Sequence, residues 1–214
     1  MTEYFAKGGE PTSSAKKPRT SQLQRSIDVY FSADVETDGP IPGPFSMLSF
    51  ALVCAGRYDG VRFHAPADYA DVFEVHLQPI SDQFDPDALR VNGIDRENLR
   101  VVGTEPSVAM EAASDWIRER SRGGIPVLVA YPVSFDWSWL YWYFTRFTGQ
   151  SPFQHSRCFD VKTAISLKTR RPISESGRKS IPERYRSDRA HTHRAADDAV
   201  EQAEIFAKVF QDRS

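Results

Sequence analysis

The run Pro126–Tyr131 (PVLVAY) is apolar along its whole length and does not alternate. A strand that buries one face alternates; a strand that buries both reads as a continuous apolar run and lies in a sheet covered by helices. This segment is therefore expected to be a buried parallel strand. Its neighbours fit. Upstream, Thr104, Glu105 and Pro106 open a helical segment with Val108, Ala112, Trp116 and Ile117 on one face, closed by Gly123–Gly124. Downstream, an aromatic-rich helix is expected from about Ser134 to Thr148. Three further strand signals precede these elements: Ile27–Glu36, Met47–Gly56 and Asp71–Gln78, joined by short breaker-rich connections as in an antiparallel meander. Phe159–Thr169 reads as a short strand running into a helix. A polar, basic stretch covers Arg170–Thr192, and a last helix runs from Arg194 to about Gln211. The fold class is α/β, a mixed five-stranded sheet of an antiparallel meander plus parallel strands, flanked by helices.

The chain has 214 residues, 40% of them hydrophobic, which suits one domain with a sizeable core. Residues 1–26 are rich in Lys, Ser, Thr, Gly and Pro without periodicity, so a disordered basic tail is expected there and a folded domain over 27–214. No apolar run approaches the roughly 20 residues of a membrane span, and the N-terminus lacks the apolar segment of a secretory signal. Cys54 and Cys158 make no disulfide framework and sit at no metal-ligand spacing, so a reducing cytoplasm is the expected setting. The formal charge is −2, with a basic tail set against a mildly acidic body. Nucleic-acid binding then requires local clusters of basic residues rather than overall charge.

Acids at unusual places carry the chemistry. Asp34 and Glu36 stand at i and i+2 near the end of an otherwise apolar strand, so both side chains leave the same face. Together they repel unless a cation sits between them, and oxygen-only ligands suit Mg²⁺ or Mn²⁺. Read alone, the pair is also compatible with two solvated acids at a strand end. Asp136 heads a helix whose apolar stripe is Leu140, Tyr143, Phe144 and Phe147, which puts its carboxylate on the core side. A first-turn acid that complements the helix dipole does not account for that side. In the last helix the stripe Ala199, Ala203, Phe206 and Phe210 is flanked by Asp198, in line with Gln202, Ile205 and Val209. Asp197 heads a polar line of Glu201, Glu204 and Lys208. Helical phase thus selects Asp198 as the inward acid, and His193 lies just before the helix, within reach of the same place; read alone, the segment is also compatible with a helix-cap histidine followed by surface acids.

The segments DVETDG, SFDW and HRAADDA, in this order, resemble the three motifs of the DEDDh 3′–5′ exonuclease superfamily, which includes proofreading and ribonuclease T-like enzymes on a ribonuclease H-like fold. The resemblance spans about residues 28–210. It implies that Asp34, Glu36, Asp136 and Asp198 hold two Mg²⁺ or Mn²⁺ ions. It also implies that His193 is the general base taking a proton from the attacking water, an assignment suited to an imidazole with a reference pKa near 6.5. The tyrosine variant of the superfamily places Tyr four residues before the last acid, where this chain has Arg194. One departure is visible: many relatives have His-Asn shortly before the second-motif acid, and this chain has Tyr131–Pro132.

The implied activity is removal of nucleoside 5′-monophosphates from the 3′ end of a single strand or 3′ overhang, with RNA or short oligonucleotides slightly favoured over DNA. A catalytically inactive nucleic-acid-binding module on the same fold is the reading from another class; the presence of all five motif residues argues against it. Thr37, Phe45, Ser46 and Met47, around the breaker-rich loop after the first acids, are candidates for contact with the terminal nucleotide, with packing as the alternative. The basic run Arg170, Arg171, Arg178, Lys179, Arg184, Arg186 and Arg189 leads to His193 and is a candidate for phosphate contact, with Arg184, Arg186 and Arg189 singled out and a solvated loop as the alternative. Trp137, Trp139, Tyr141 and Trp142 read better as packing residues than as base-stacking ones. Relatives of this group are often dimers, so a homodimer is a further expectation, whereas a membrane partner is not.

Overall fold

The computed structural model describes residues 26–213, so the expected tail lies almost wholly outside the described residues. Six strands form one sheet: β1 (Asp28–Thr37), β2 (Met47–Tyr58), β3 (Phe63–His64), β4 (Val72–His76), β5 (Ile125–Ala130) and β6 (Cys158–Asp160). Six α-helices accompany them: α1 (Pro86–Asn92), α2 (Arg96–Val102), α3 (Pro106–Ser121), α4 (Val133–Thr148), α5 (Val161–Thr169) and α6 (Ala195–Gln211). The strand order is β3-β2-β1-β5-β6, with β4 also paired to β2. β1 is antiparallel to β2 and parallel to β5, and β5 is parallel to β6. This is the mixed sheet expected from the sequence, enlarged by the two-residue strand β3 after the Asp59–Gly60 turn.

The central strand divides its side chains between two cores. Val29, Phe31, Ala33 and Val35 point to one face, against Trp116 and Ile117 of α3 and Trp139, Leu140, Tyr143 and Phe144 of α4. Tyr30 points to the other, where Phe206, Phe210 and Phe159 surround it. The alternation of a strand puts Ser32, Asp34 and Glu36 on this second face as well. α6 crosses that face against β1 and β2, buried on nearly every side. The continuous run of β5 is explained the same way, since Leu128 serves the first core and Val129 the second.

Helices α1 and α2 had no counterpart in the sequence reading. Each is seven residues long, and α1 buries none of its residues, so no apolar period exists to be read. Their ends are nonetheless written in the sequence. Asp85 and Asp95 cap the N-termini, accepting from the Asp87 and Asn98 amides, and Gly93 takes φ +67° at the close of α1. On α3 the buried face is Ala109, Met110, Ala113, Trp116 and Ile117, whereas Val108 and Ala112 of the expected face are exposed; the face is rotated by about one residue over the first half of the helix. No helix among the described residues is long and apolar enough to cross a membrane.

Phe206 is fully buried and its ring meets those of Tyr30, Phe63, Phe159 and Phe210. Phe206→Ala is expected to destabilise the protein by about 3–5 kcal/mol, measured by urea denaturation. A loss below about 1 kcal/mol would mean that α6 is not docked on this face.

Candidate active site

The two acids of β1 meet Asp198 from α6. Carboxylate oxygens of Asp34, Glu36 and Asp198 all lie within 4.8 Å of one another. Asp136, at the first turn of α4, approaches from the other side of the strand end and accepts the Val35 amide at 3.1 Å. Asp34, Asp136 and Asp198 are buried and Glu36 is half-buried. Helical phase correctly separated Asp198, which has no exposure, from Asp197, which is half-buried and accepts from the Thr192 hydroxyl. The line headed by Asp197 is less solvated than expected, because Glu201 turns inward to pair with Arg178.

Each carboxylate is aimed by fixed donors. The Thr192 and His193 amides donate to the two oxygens of Asp198 at 2.8 and 2.9 Å. His193 takes a left-handed backbone conformation, φ +55°, where its amide makes that bond. Asp34 accepts from the Gln202 amide nitrogen at 2.7 Å, while the oxygen of the same side chain accepts the Tyr131 amide at 2.6 Å. Gln202 therefore joins β1 to the corner between β5 and α4. A second histidine enters the cleft: His191 Nδ1 lies 2.9 Å from Asp198 and 3.6 Å from Glu201, with its ring against that of His193. Burial holds the His191 imidazole below its usual pKa.

Such a cluster is electrostatically costly on its own. Burial, then the neighbouring carboxylates, push Asp34 well above the ordinary carboxylate range. Glu36 is pushed up to about 8 by burial and by Asp198 and Asp136. Asp136 is pushed up to about 7 by burial, partly offset by the backbone amides it accepts. Converging carboxylates, desolvated and oxygen-only, fit hard divalent cations, whose charge would remove the repulsion.

The cleft beside these acids has a volume of about 560 Å³. Asp34, Glu36, Asp136, His191 and His193 line it, with Thr37, Tyr131, Phe135 and Arg178. Thr37 is among the lining residues. Its neighbours are not. Ser46 and Met47 are fully buried, with the Ser46 hydroxyl accepting the Ile80 amide and the Met47 amide donating to Tyr143. Phe45 packs over Gly39, where even a Cβ would collide with its ring. All three are packing residues of the loop. Arg184, Arg186 and Arg189 are also outside the cleft: Arg184 faces Asp212 and stacks on Tyr185, Arg186 donates to the Ile181 carbonyl, and Arg189 pairs with Glu204. Of the basic run, Arg178 is the member that lines the cleft. It sits in a loop of short 3₁₀ turns, where no periodicity can single out one arginine. Gln202 was legible in principle, one helical turn beyond Asp198 on the inward line. Trp139 and Trp142 pack in the first core, and Trp137 stacks on Tyr141.

A ribonuclease H-like sheet with acids converging from its central strand and two helices defines a metal-dependent nuclease. The family model described as RNase_T: Exonuclease matches residues 32–206. The 3′-5′ DNA exonuclease Cap18 of Escherichia coli is 35% identical over 186 residues, covering 84% of this chain and 90% of that protein. The nuclease domain of 3′hExo, a DEDDh family member solved with rAMP, superposes with a TM-score of 0.64 at 14% identity, covering 89% of this chain and 94% of that one. E. coli Exonuclease I, solved with a dT13 oligonucleotide, gives 0.57 at 16% identity over 88% of this chain, which spans 41% of that longer protein. The chain belongs to the RNase T-like exonuclease family, as a metal-dependent 3′–5′ exonuclease of the DEDDh type.

The raised carboxylates set a pH dependence. A group that holds its proton more tightly when folded favours the folded state below its unfolded pKa, and that advantage is lost as pH rises to the folded value. In EDTA the melting temperature is therefore expected to fall as pH rises from about 5 to about 8, the interval over which Asp136 and Glu36 lose their protons in the folded state. Added Mn²⁺ should raise it most at the alkaline end. A flat EDTA profile would show that these acids are not mutually destabilising.

Proposed function

We propose that the chain hydrolyses the 3′-terminal phosphodiester of single-stranded DNA or a 3′ overhang, releasing nucleoside 5′-monophosphates. The convergence of Asp34, Glu36, Asp136 and Asp198 beside His193 carries the hydrolytic reading. The relative named as a DNA exonuclease, similar over 90% of its own length, favours DNA over the RNA expected from the motifs alone.

Asp34, Glu36, Asp136 and Asp198 would hold two Mg²⁺ or Mn²⁺ ions. Bound there, the ions supply positive charge to the attacking and leaving oxygens of an in-line displacement. The chain's own residues do the rest. Gln202 fixes the Asp34 carboxylate and prevents it from turning away from Asp198. The Thr192 and His193 amides fix Asp198, and the same backbone bond sets the His193 side chain at the mouth of the cleft. From there His193 takes the proton of the attacking water, and its exposure lets that proton pass on to solvent. Thr37 and Phe135 line the wall on which the terminal nucleotide rests. A homodimer and a cytoplasmic setting belong to the same reading; sedimentation of the purified protein tests the first.

With 5′-labelled DNA and RNA of one sequence, DNA should be shortened stepwise from its 3′ end, faster than RNA, and not at all in excess EDTA. Faster loss of RNA would reverse the substrate assignment, and internal cuts in a circle would replace exonuclease by endonuclease. Asp198→Asn should cut single-turnover hydrolysis by at least about 10²-fold. Asp197→Asn should alter stability by only a few tenths of a kcal/mol and leave turnover far less affected. His193→Ala should cost about 10²–10⁴-fold. An inactive Asp197 variant beside an active Asp198 variant would reassign the fourth acid.

A further inference from the structure

Arg178 is the cation that faces this cleft. Its guanidinium lies near enough to favour the ionised forms of Asp34 and Asp136 and to oppose a proton on His191. Two contacts hold it. One terminal nitrogen donates to Glu201, and the guanidinium carbon sits 5.5 Å from the centre of the Tyr131 ring. Tyr131 is itself anchored: its hydroxyl donates to the Ser176 carbonyl at 2.7 Å, its amide to Gln202, and 4% of its surface is exposed. The ring thus supports the arginine and pins the loop that carries it.

An ion pair with Glu201 alone uses a small part of this side chain. A guanidinium has five donors in a fixed fork suited to two oxygens of a phosphate, and stacking on an aromatic ring leaves its edge available. Here the edge borders a cleft that also contains the acid cluster. Once divalent cations compensate those acids, their pull on Arg178 weakens, and the strongest anion within its reach is the nucleic-acid backbone. Tyr131–Pro132 occupies the place where relatives have His-Asn, so the departure seen in the sequence and the arginine seen in the fold meet at one point.

We infer that Arg178 is a substrate-binding residue, whose guanidinium, placed over the Tyr131 ring and braced by Glu201, contacts a non-bridging oxygen of the 3′-terminal phosphodiester. This rests on reading the cleft as the nuclease site. The contact is made by a neutralisable charge on the substrate, so it can be removed from either side.

The test uses protein silenced by Asp198→Asn, with and without Arg178→Gln, and fluorescence anisotropy in Mn²⁺ with two DNA oligonucleotides. One has a natural terminal linkage and the other a neutral methylphosphonate there. On natural DNA, Arg178→Gln should weaken binding by about tenfold, the scale of one charge-assisted contact. On the methylphosphonate, the two proteins should bind equally. Equal affinities for natural DNA, or the same loss on both oligonucleotides, would overturn the inference and leave Arg178 as a brace for its loop. Arg178→Lys keeps the charge toward Glu201 but loses the fork, and should show a smaller loss of the same pattern; with it the test stands even if the Gln variant does not fold. Failure of the protein with its acid cluster intact to bind or shorten DNA in Mn²⁺ would remove the proposed function, and this inference with it.

Discussion

Repulsion between carboxylates packed into a small, poorly hydrated space is the constraint around which the molecule is arranged. Left alone, Asp34, Glu36, Asp136 and Asp198 would separate or take up protons, and the raised carboxyl groups record that tendency. They are kept together by parts of the fold that are rigid for other reasons. Backbone amides near the end of β1 and before α6 hold two of them, and the Gln202 amide, itself bonded to the corner between β5 and α4, holds a third. None of these donors is a flexible charged side chain, so the geometry persists when charge changes. The two cores provide the force that opposes the repulsion, one pressing α4 and the other α6 onto the same central strand.

Much of this was legible because it depends on period and phase. Alternation along β1 puts Asp34 and Glu36 on one face, and the helical line through Asp198, Gln202, Ile205 and Val209 turns the right acid inward. The apolar run of β5 required helices on both sides, and they are there. Illegibility had definite causes as well. The segment Phe45–Met47, where the loop enters β2, lies near the acids in sequence, but Asp38 and Tyr143 accept the Ser46 and Met47 amides from within, and its side chains are consumed by packing. The basic stretch has no period at all. Which arginine reaches the cleft is decided by the position of Tyr131 and Glu201, residues far apart in sequence, and no local pattern encodes that choice.

The substrate preference belongs to a different level of information. The acids, the histidine and the sheet are indifferent to whether a ribose carries a 2′-hydroxyl, so the motifs define a reaction and not a nucleic acid. Similarity along most of the domain is information of another kind, and the relative it reaches is named as a DNA exonuclease.

Helix α6 carries Asp198, Gln202 and Glu201 on faces that are buried against β1 and β2. It is the last element of the described fold and one wall of its second core. During synthesis, Asp34 and Glu36 emerge from the ribosome long before this helix exists. Until it docks, the second core is open, Asp34 lacks its Gln202 partner and the acid cluster is missing a member. The carboxylate site is therefore assembled only when α6 docks on the second face of the sheet.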